Sequence, residues 1–229
     1  MFTLRKAADR GHFDWGWLDT YHTFSFGDYH DPRYMGFRAL RVINEDFVAP
    51  GTGFPTHGHR EMEIVTVVLE GALAHADSMG NSSVIRPFEV QRMTAGTGVQ
   101  HSEFNPSEAD PVHLLQIWIH PAVRRCEPSY EQRAFSAGSG PVGLLASPDG
   151  ADGSVTVGQD VRLYRIRVPV DALEMTLAQG RFAWLHAIAG RTSIAGKLLE
   201  AGDGLAVSGE ERLSLRGDDA AEILLFDLA

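Results

Sequence analysis

Short β-rich runs, each closed by a glycine or proline turn, recur along nearly the whole chain, and hardly any stretch carries helical periodicity. A chain written this way must bury alternate faces of strands, which leaves an all-β barrel or sandwich as the expected fold. Ile64 to Val68 is a β-branched run too short for a helix, and Gly71 turns it back. Met79-Gly80-Asn81 reads as a hairpin tip. The stretch VHLLQIWIHP, residues 112–121, is apolar on both faces, as in a strand inside a sandwich, and Pro121 ends it. Before these, the aromatic and histidine-rich start of the chain is expected in short strands, with Asp31-Pro32 opening a turn that Gly36 closes.

Beyond Pro121 lies a connector dense in Gly, Pro, Ser and Asp, and strand patterning resumes at Val155. We place the domain boundary in this connector, giving residues 1–130 and 131–229. The two halves share a weak repeat: strand into glycine, hairpin, strand-turn-strand, then a final apolar strand. Repetition on this scale implies duplication, hence two related β-barrels. The second half carries His186 alone, without the paired histidines described below.

The formal net charge of −10, with no cluster of Lys and Arg, disfavours binding to a nucleic-acid backbone. No segment reaches the roughly 18 consecutive apolar residues of a membrane span, and the N-terminus lacks the apolar core of a secretory signal. A cytoplasmic location is expected. Cys126 is the single cysteine, so an intramolecular disulfide is impossible, and the thiol reads as incidental.

Two pairs of side chains carry the chemistry. His57 and His59 are two apart, so on a strand both imidazoles project from one face. His101 and Glu103 repeat that spacing in a later segment. From neighbouring strands the two pairs can converge as three nitrogens and one carboxylate oxygen, a set suited to a divalent first-row metal. His75, His113 and His120 also lie in strand-like segments but outside these pairs, and are expected to be packed or surface histidines. The charges of REMEIV and GEERL read as solvated faces.

The block RVINEDFVAPGTGFPTHGHREMEIVTVVLEGALAHADSMGN, with AGTGVQHSEFNPS downstream, HTFSFGDYHDP upstream and YEQR after the first domain, resembles the pirin family of bicupins. The match is close within residues 20–120 and looser beyond about 135. The resemblance implies two cupin-type barrels (double-stranded β-helix, jelly-roll), of which the first holds a metal, Fe(II) in the members it is similar to. It implies His57, His59, His101 and Glu103 as the ligands. In the commoner cupin arrangement Glu63 would be the carboxylate ligand; here it is left as a neighbour of the site or a structural acid. Gly58 departs from the proline that pirins commonly carry between the two histidines.

The family's bacterial members imply a quercetin 2,3-dioxygenase-like oxidoreductase that cleaves a flavonol with O2 and releases CO. Glu103 would then be both ligand and acceptor of the substrate hydroxyl proton. Phe54, Met62, Met93 and Phe104 are expected as apolar walls for a planar aromatic substrate, with His22 nearby. Donor type alone admits Ni, Mn, Cu or Zn in place of iron. The alternative reading is a non-catalytic redox-sensing protein whose metal alters a surface that binds a protein partner. A monomer is expected, because two fused barrels can cover each other's apolar faces.

Overall fold

The structure is a computed structural model, and it describes residues 1–135, 140–218 and 220–229. Residues 136–139 of the connector, where the boundary was expected nearby, lie outside the described residues. Among those described, the helical content is two three-residue 3-10 turns, Ala7–Asp9 and Ala151–Gly153, and every named pairing of strands is antiparallel. The all-β expectation is met, and among the described residues no helix is long and apolar enough to cross a membrane.

The chain forms two compact units. The first, Gly11–Phe135 with Val155–Gln159, holds the paired histidines. Its larger sheet runs Ser129–Ala134, Glu89–Thr94, Glu63–Glu70, Val112–Ile119, Leu40–Val48, Leu18–His22, Gly11–Asp14. Its smaller sheet runs Gly53–His59, Val99–Phe104, Leu73–Asp77, Ser82–Ile85. Val112–Ile119 pairs along its length with both Leu40–Val48 and Glu63–Glu70 as a central strand, and residues on both of its faces are buried.

Along one face of these strands the chemistry changes from end to end. Leu18, Val48, Val68, Leu73, Ile85, Val112 and Leu114 form a closed apolar plug. Burying each such side chain contributes about 1.5–3 kcal/mol, so this end needs no ligand to hold it together. Two or four residues further along the same strands stand Thr20, Asn44, Asp46, Thr66 and Gln116, all but Gln116 buried and all polar. A polar interior opposite an apolar plug is the ground plan of a site.

The second unit comprises Met1–Arg10, residues 136–154 and Asp160–Ala229. Its larger sheet runs Phe2–Arg5, Gly204–Ser208, Phe182–Ala189, Glu222–Leu228, Val161–Arg167, Val142–Ser147. Its smaller sheet runs Leu173–Thr176, Arg212–Gly217, Arg191–Ile194, Lys197–Glu200. Apart from Gly11–Asp14, which has no counterpart among these strands, this is the order of the first unit, so the repeat read from sequence is a repeat of topology. Its interior is aliphatic, including Leu185, Ile194, Leu199, Leu205, Leu215 and Leu225.

The units do not divide at a single point near 130. Phe2–Arg5 pairs with Gly204–Ser208 and so belongs to the second unit, whereas Ser129–Ala134 pairs with Glu89–Thr94 and stays with the first. The expected boundary of 1–130 and 131–229 is corrected accordingly. The reason is that the outermost strand beside Gly204–Ser208 is supplied by the beginning of the chain.

Candidate metal centre

Register builds the site. Val99–Phe104 lies between Gly53–His59 and Leu73–Asp77, with His101 opposite His57 on one side and opposite Asp77 on the other. Val99 is opposite His59, and Glu103 is opposite His75. Between His101 and Glu103 the pairing to Gly53–His59 shifts by a β-bulge, which brings Glu103 opposite Phe54. The bulge needs Gly53: a Cβ there would lie 2.2 Å from the Glu103 carbonyl oxygen and 2.5 Å from the Phe104 Cα.

The three imidazoles converge. Ring centroids are 4.7 Å apart for His57 and His59, 4.4 Å for His57 and His101, and 4.8 Å for His59 and His101. One nitrogen from each can be chosen so that all lie within 4.8 Å of one another. His57 Nδ1 is 2.8 Å from the Pro55 carbonyl oxygen, to which it donates, leaving Nε2 as the available lone pair. His101 Nε2 is buried and has no hydrogen-bond partner among the described residues. A buried ring nitrogen without a partner, on a ring beside two other imidazoles, is a donor that a metal ion could satisfy. Burial, with the neighbouring imidazoles adding to it, lowers the pKa of His59 to about 4 and of His101 to about 3. Both are therefore neutral at pH 7 and able to donate to a cation. The donor set fits a divalent transition metal.

Glu103 stands at the edge of this set. It forms a second potential ligand group with His101 and His75, again with atoms within 4.8 Å. Gln116 Nε2 donates to both carboxyl oxygens, at 3.2 and 3.0 Å, and Thr66 Oγ1 donates at 2.8 Å to Gln116 Oε1, which fixes the amide orientation. Burial raises the Glu103 pKa to about 7, opposed by the Gln116 hydrogen bonds and assisted by the nearby Asp46.

In front of the imidazoles is a cavity of about 330 Å³, in the lower part of the range for small-molecule sites. Trp17, Phe26, Phe54 and Trp118 supply aromatic walls, and Asn44, Asp46, Gln116 and Glu103 are polar groups on its lining together with His57 and His59. Trp17 meets Phe54 edge-on at 5.2 Å, and Trp118 does the same with Phe26 at 5.1 Å and His59 at 4.9 Å. A larger, more open groove of about 520 Å³ lies beside Arg167 and Asp218 but lacks these imidazoles, and another of about 550 Å³ beside Gly58 and Ser78 reaches only His59.

Phe54 is on the cavity wall. Met62 and Met93 instead pack with Ile64, Ala95 and Val99 against Trp118. Phe104 is not on the lining and is 41% exposed, because the residue after an inward Glu103 must face the other way. Glu63 is also turned away: Thr94 Oγ1 donates to it at 2.9 Å, and Gly158 approaches so closely that a Cβ would sit 2.9 Å from its Oε1. His22 is buried against Phe13 and Phe26, one shell behind the wall. Sequence reasoning missed Trp17, Phe26, Asn44, Asp46, Gln116 and Trp118. It also missed His75, whose i, i+2 spacing to Asp77 is the same signal that singled out the two ligand pairs.

A family model described as Pirin matches residues 3–119, and one described as a quercetinase C-terminal cupin domain matches residues 144–228. The chain is 48% identical over 229 residues to a protein of Escherichia coli strain K12 named quercetin 2,3-dioxygenase, covering 100% of this chain and 99% of that one. The crystal structure of YhhW from Escherichia coli superposes with a TM-score of 0.97 at 48% identity, covering 100% of this chain and 98% of that one. The bacterial pirin YhhW in complex with nickel(II) superposes with a TM-score of 0.95 at 47% identity, covering 100% and 99%.

Proposed function

The chain belongs to the pirin family, and on that footing we propose that its first unit is a metal-dependent dioxygenase acting on flavonols such as quercetin. The observation that carries the reading is the pairing of three convergent imidazoles with an aromatic-walled cavity that also presents Glu103. His57, His59, His101 and Glu103 would hold one divalent ion, Fe(II) in this reading, and the nickel(II) complex of a 47% identical relative supports the presence of a metal. Bound there, the ion supplies Lewis acidity toward an enolate oxygen and a template that orients substrate and O2.

The chain's own groups do the rest. The aromatic pairs at Trp17–Phe54 and Phe26–Trp118 clamp a planar ring and keep water out. Glu103, as a carboxylate on the cavity lining, offers an oxygen that can accept the proton of an enolic hydroxyl. Gln116 holds both Glu103 oxygens in position, and Thr66 holds Gln116. Asn44 and Asp46 give the cavity polar partners for further hydroxyls of a polyhydroxylated aromatic. In the overall reaction O2 opens the oxygen-bearing ring and one ring carbon leaves as CO.

The test is an aerobic assay with iron-loaded protein of measured stoichiometry, following loss of flavonol absorbance and release of CO. Turnover with CO is expected. Failure to turn over any of several flavonols at full iron occupancy overturns the dioxygenase reading.

A further inference from the structure

We propose that His75 and Asp77 form an outer relay that fixes the tautomer of His101 and thereby sets how tightly the centre holds its metal. The inference rests on the metal reading above. Its first observation is a line of contacts running away from the imidazole cluster. His101 Nδ1 faces His75 Nδ1 at 3.5 Å, and His75 Nε2 faces Asp77 Oδ2 at 3.3 Å. The His75 and Asp77 side chains are both fully buried.

Counting protons along this line leaves one arrangement. His101 Nδ1 is taken up with His75, and Nε2 is buried with no partner among the described residues, so Nε2 is the atom His101 can offer to a metal, and as a ligand atom it carries a lone pair and no hydrogen. The single proton of neutral His101 is then on Nδ1, facing His75. His75 Nδ1 must accept it, which places the proton of His75 on Nε2, directed at the Asp77 carboxylate. A metal-binding histidine commonly donates its second nitrogen to a carboxylate or carbonyl. Here a second imidazole is interposed between ligand and carboxylate.

The far end is built to stay put. Asp77 Oδ1 accepts backbone N–H groups from Met79 at 2.9 Å and Asn81 at 3.0 Å, and the Asn81 amide donates to both carboxyl oxygens, at 3.1 and 2.8 Å. The hairpin tip that follows the strand therefore anchors the acid. Tyr130 stacks on His75 with centroids 5.1 Å apart and planes 27° from parallel, and its hydroxyl is tied to Ser83. His75 also comes within ligand distance of His101 and Glu103. Both its nitrogens are engaged, however, which makes it a positioning residue and not a fifth ligand.

The experiment uses the full chain. In zinc-loaded, ¹⁵N-labelled protein, long-range ¹H–¹⁵N spectra of the imidazoles should show His101 protonated on Nδ1 and His75 on Nε2. A Nδ1-protonated or doubly protonated His75 in the metal-loaded protein overturns the relay. His75→Phe should retain one nickel(II) per chain by metal analysis but bind it about 10–100-fold more weakly by titration calorimetry. His75→Gln, which can accept from His101 and donate to Asp77, should recover most of that loss. Loss of the nickel altogether in His75→Phe would make His75 a ligand and overturn the relay. An equal fall in the Tm of the metal-free and nickel-bound forms, with no change in affinity, would reduce it to packing and overturn it also. Failure of the wild-type protein to bind zinc or nickel would overturn the metal centre itself, and the relay with it.

Discussion

Asp46 offers a test of the site's interior that leaves His57, His59, His101 and Glu103 in place. Its carboxyl is buried on the cavity lining, and burial raises its pKa from 3.8 to about 7, with the 2.5 Å hydrogen bond from Thr20 Oγ1 pulling down and the Glu45 charge pushing up. The folded chain thus keeps a proton that the unfolded chain releases above pH 4. The sign follows from linkage: stability falls with pH wherever the folded state binds more protons. Asp46 costs nothing below its unfolded pKa, an increasing amount as pH rises toward 7, and the full amount above it. A shift from 3.8 to about 7, at 1.36 kcal/mol per pH unit, makes that full amount about 4 kcal/mol. Asp46→Asn removes the ionisation, and an amide oxygen can still accept from Thr20. The metal-free variant should match wild type near pH 4 and exceed it at pH 8, with a Tm difference on the order of 10 °C in a chain of this size. Thermal unfolding of chelator-treated protein from pH 4 to 8, followed by calorimetry, measures this. A Tm difference independent of pH, or a variant less stable than wild type at pH 8, would refute the argument.

Three further outcomes follow from the same geometry. His101→Ala should abolish stoichiometric metal while Glu63→Gln keeps it, as measured by elemental analysis; the reverse result would transfer the carboxylate role to Glu63. Because the Glu103 pKa is raised to about 7 before the ion binds, nickel uptake at pH 6 should release close to one proton from it and at pH 8 very little, with affinity rising over that interval; calorimetry in buffers of different ionisation enthalpy reads the proton count. Gly58 lacks the positive φ of a left-handed residue, and a Cβ there meets only the Val99 carbonyl oxygen at 3.7 Å. Gly58→Ala should therefore stabilise the protein by about 0.4–1 kcal/mol in denaturant unfolding, with metal content unchanged.

The strand period made much of this readable from sequence. Residues two apart share a face, so His57 with His59 and His101 with Glu103 could be paired before any partner strand was known. The same parity argument, had it been applied to Phe104, would have excluded it from the cavity. His75 and Asp77 were overlooked although their spacing matched, because their meaning depends on which strand lies beside them. Only the register of Leu73–Asp77 against Val99–Phe104 turns an ordinary polar alternation into a contact with His101. Asn44, Asp46 and Gln116 were illegible for a different reason: a polar residue in an apolar strand reads alike whether it faces solvent or a cavity. The first ten residues carried no local sign of their destination, since their pairing is with residues some two hundred positions away.

That distant pairing has a consequence for synthesis. In the first unit the outermost strand beside Glu89–Thr94 follows it in sequence, so the larger sheet can close soon after its last strand emerges from the ribosome. In the second, the equivalent strand is made first and must wait, unpaired, until Gly204–Ser208 has been translated. The opening residues are then an exposed template for stray pairing throughout elongation. An N-terminal fusion bulky enough to hinder Phe2–Arg5 would strike the half of the chain that is made last.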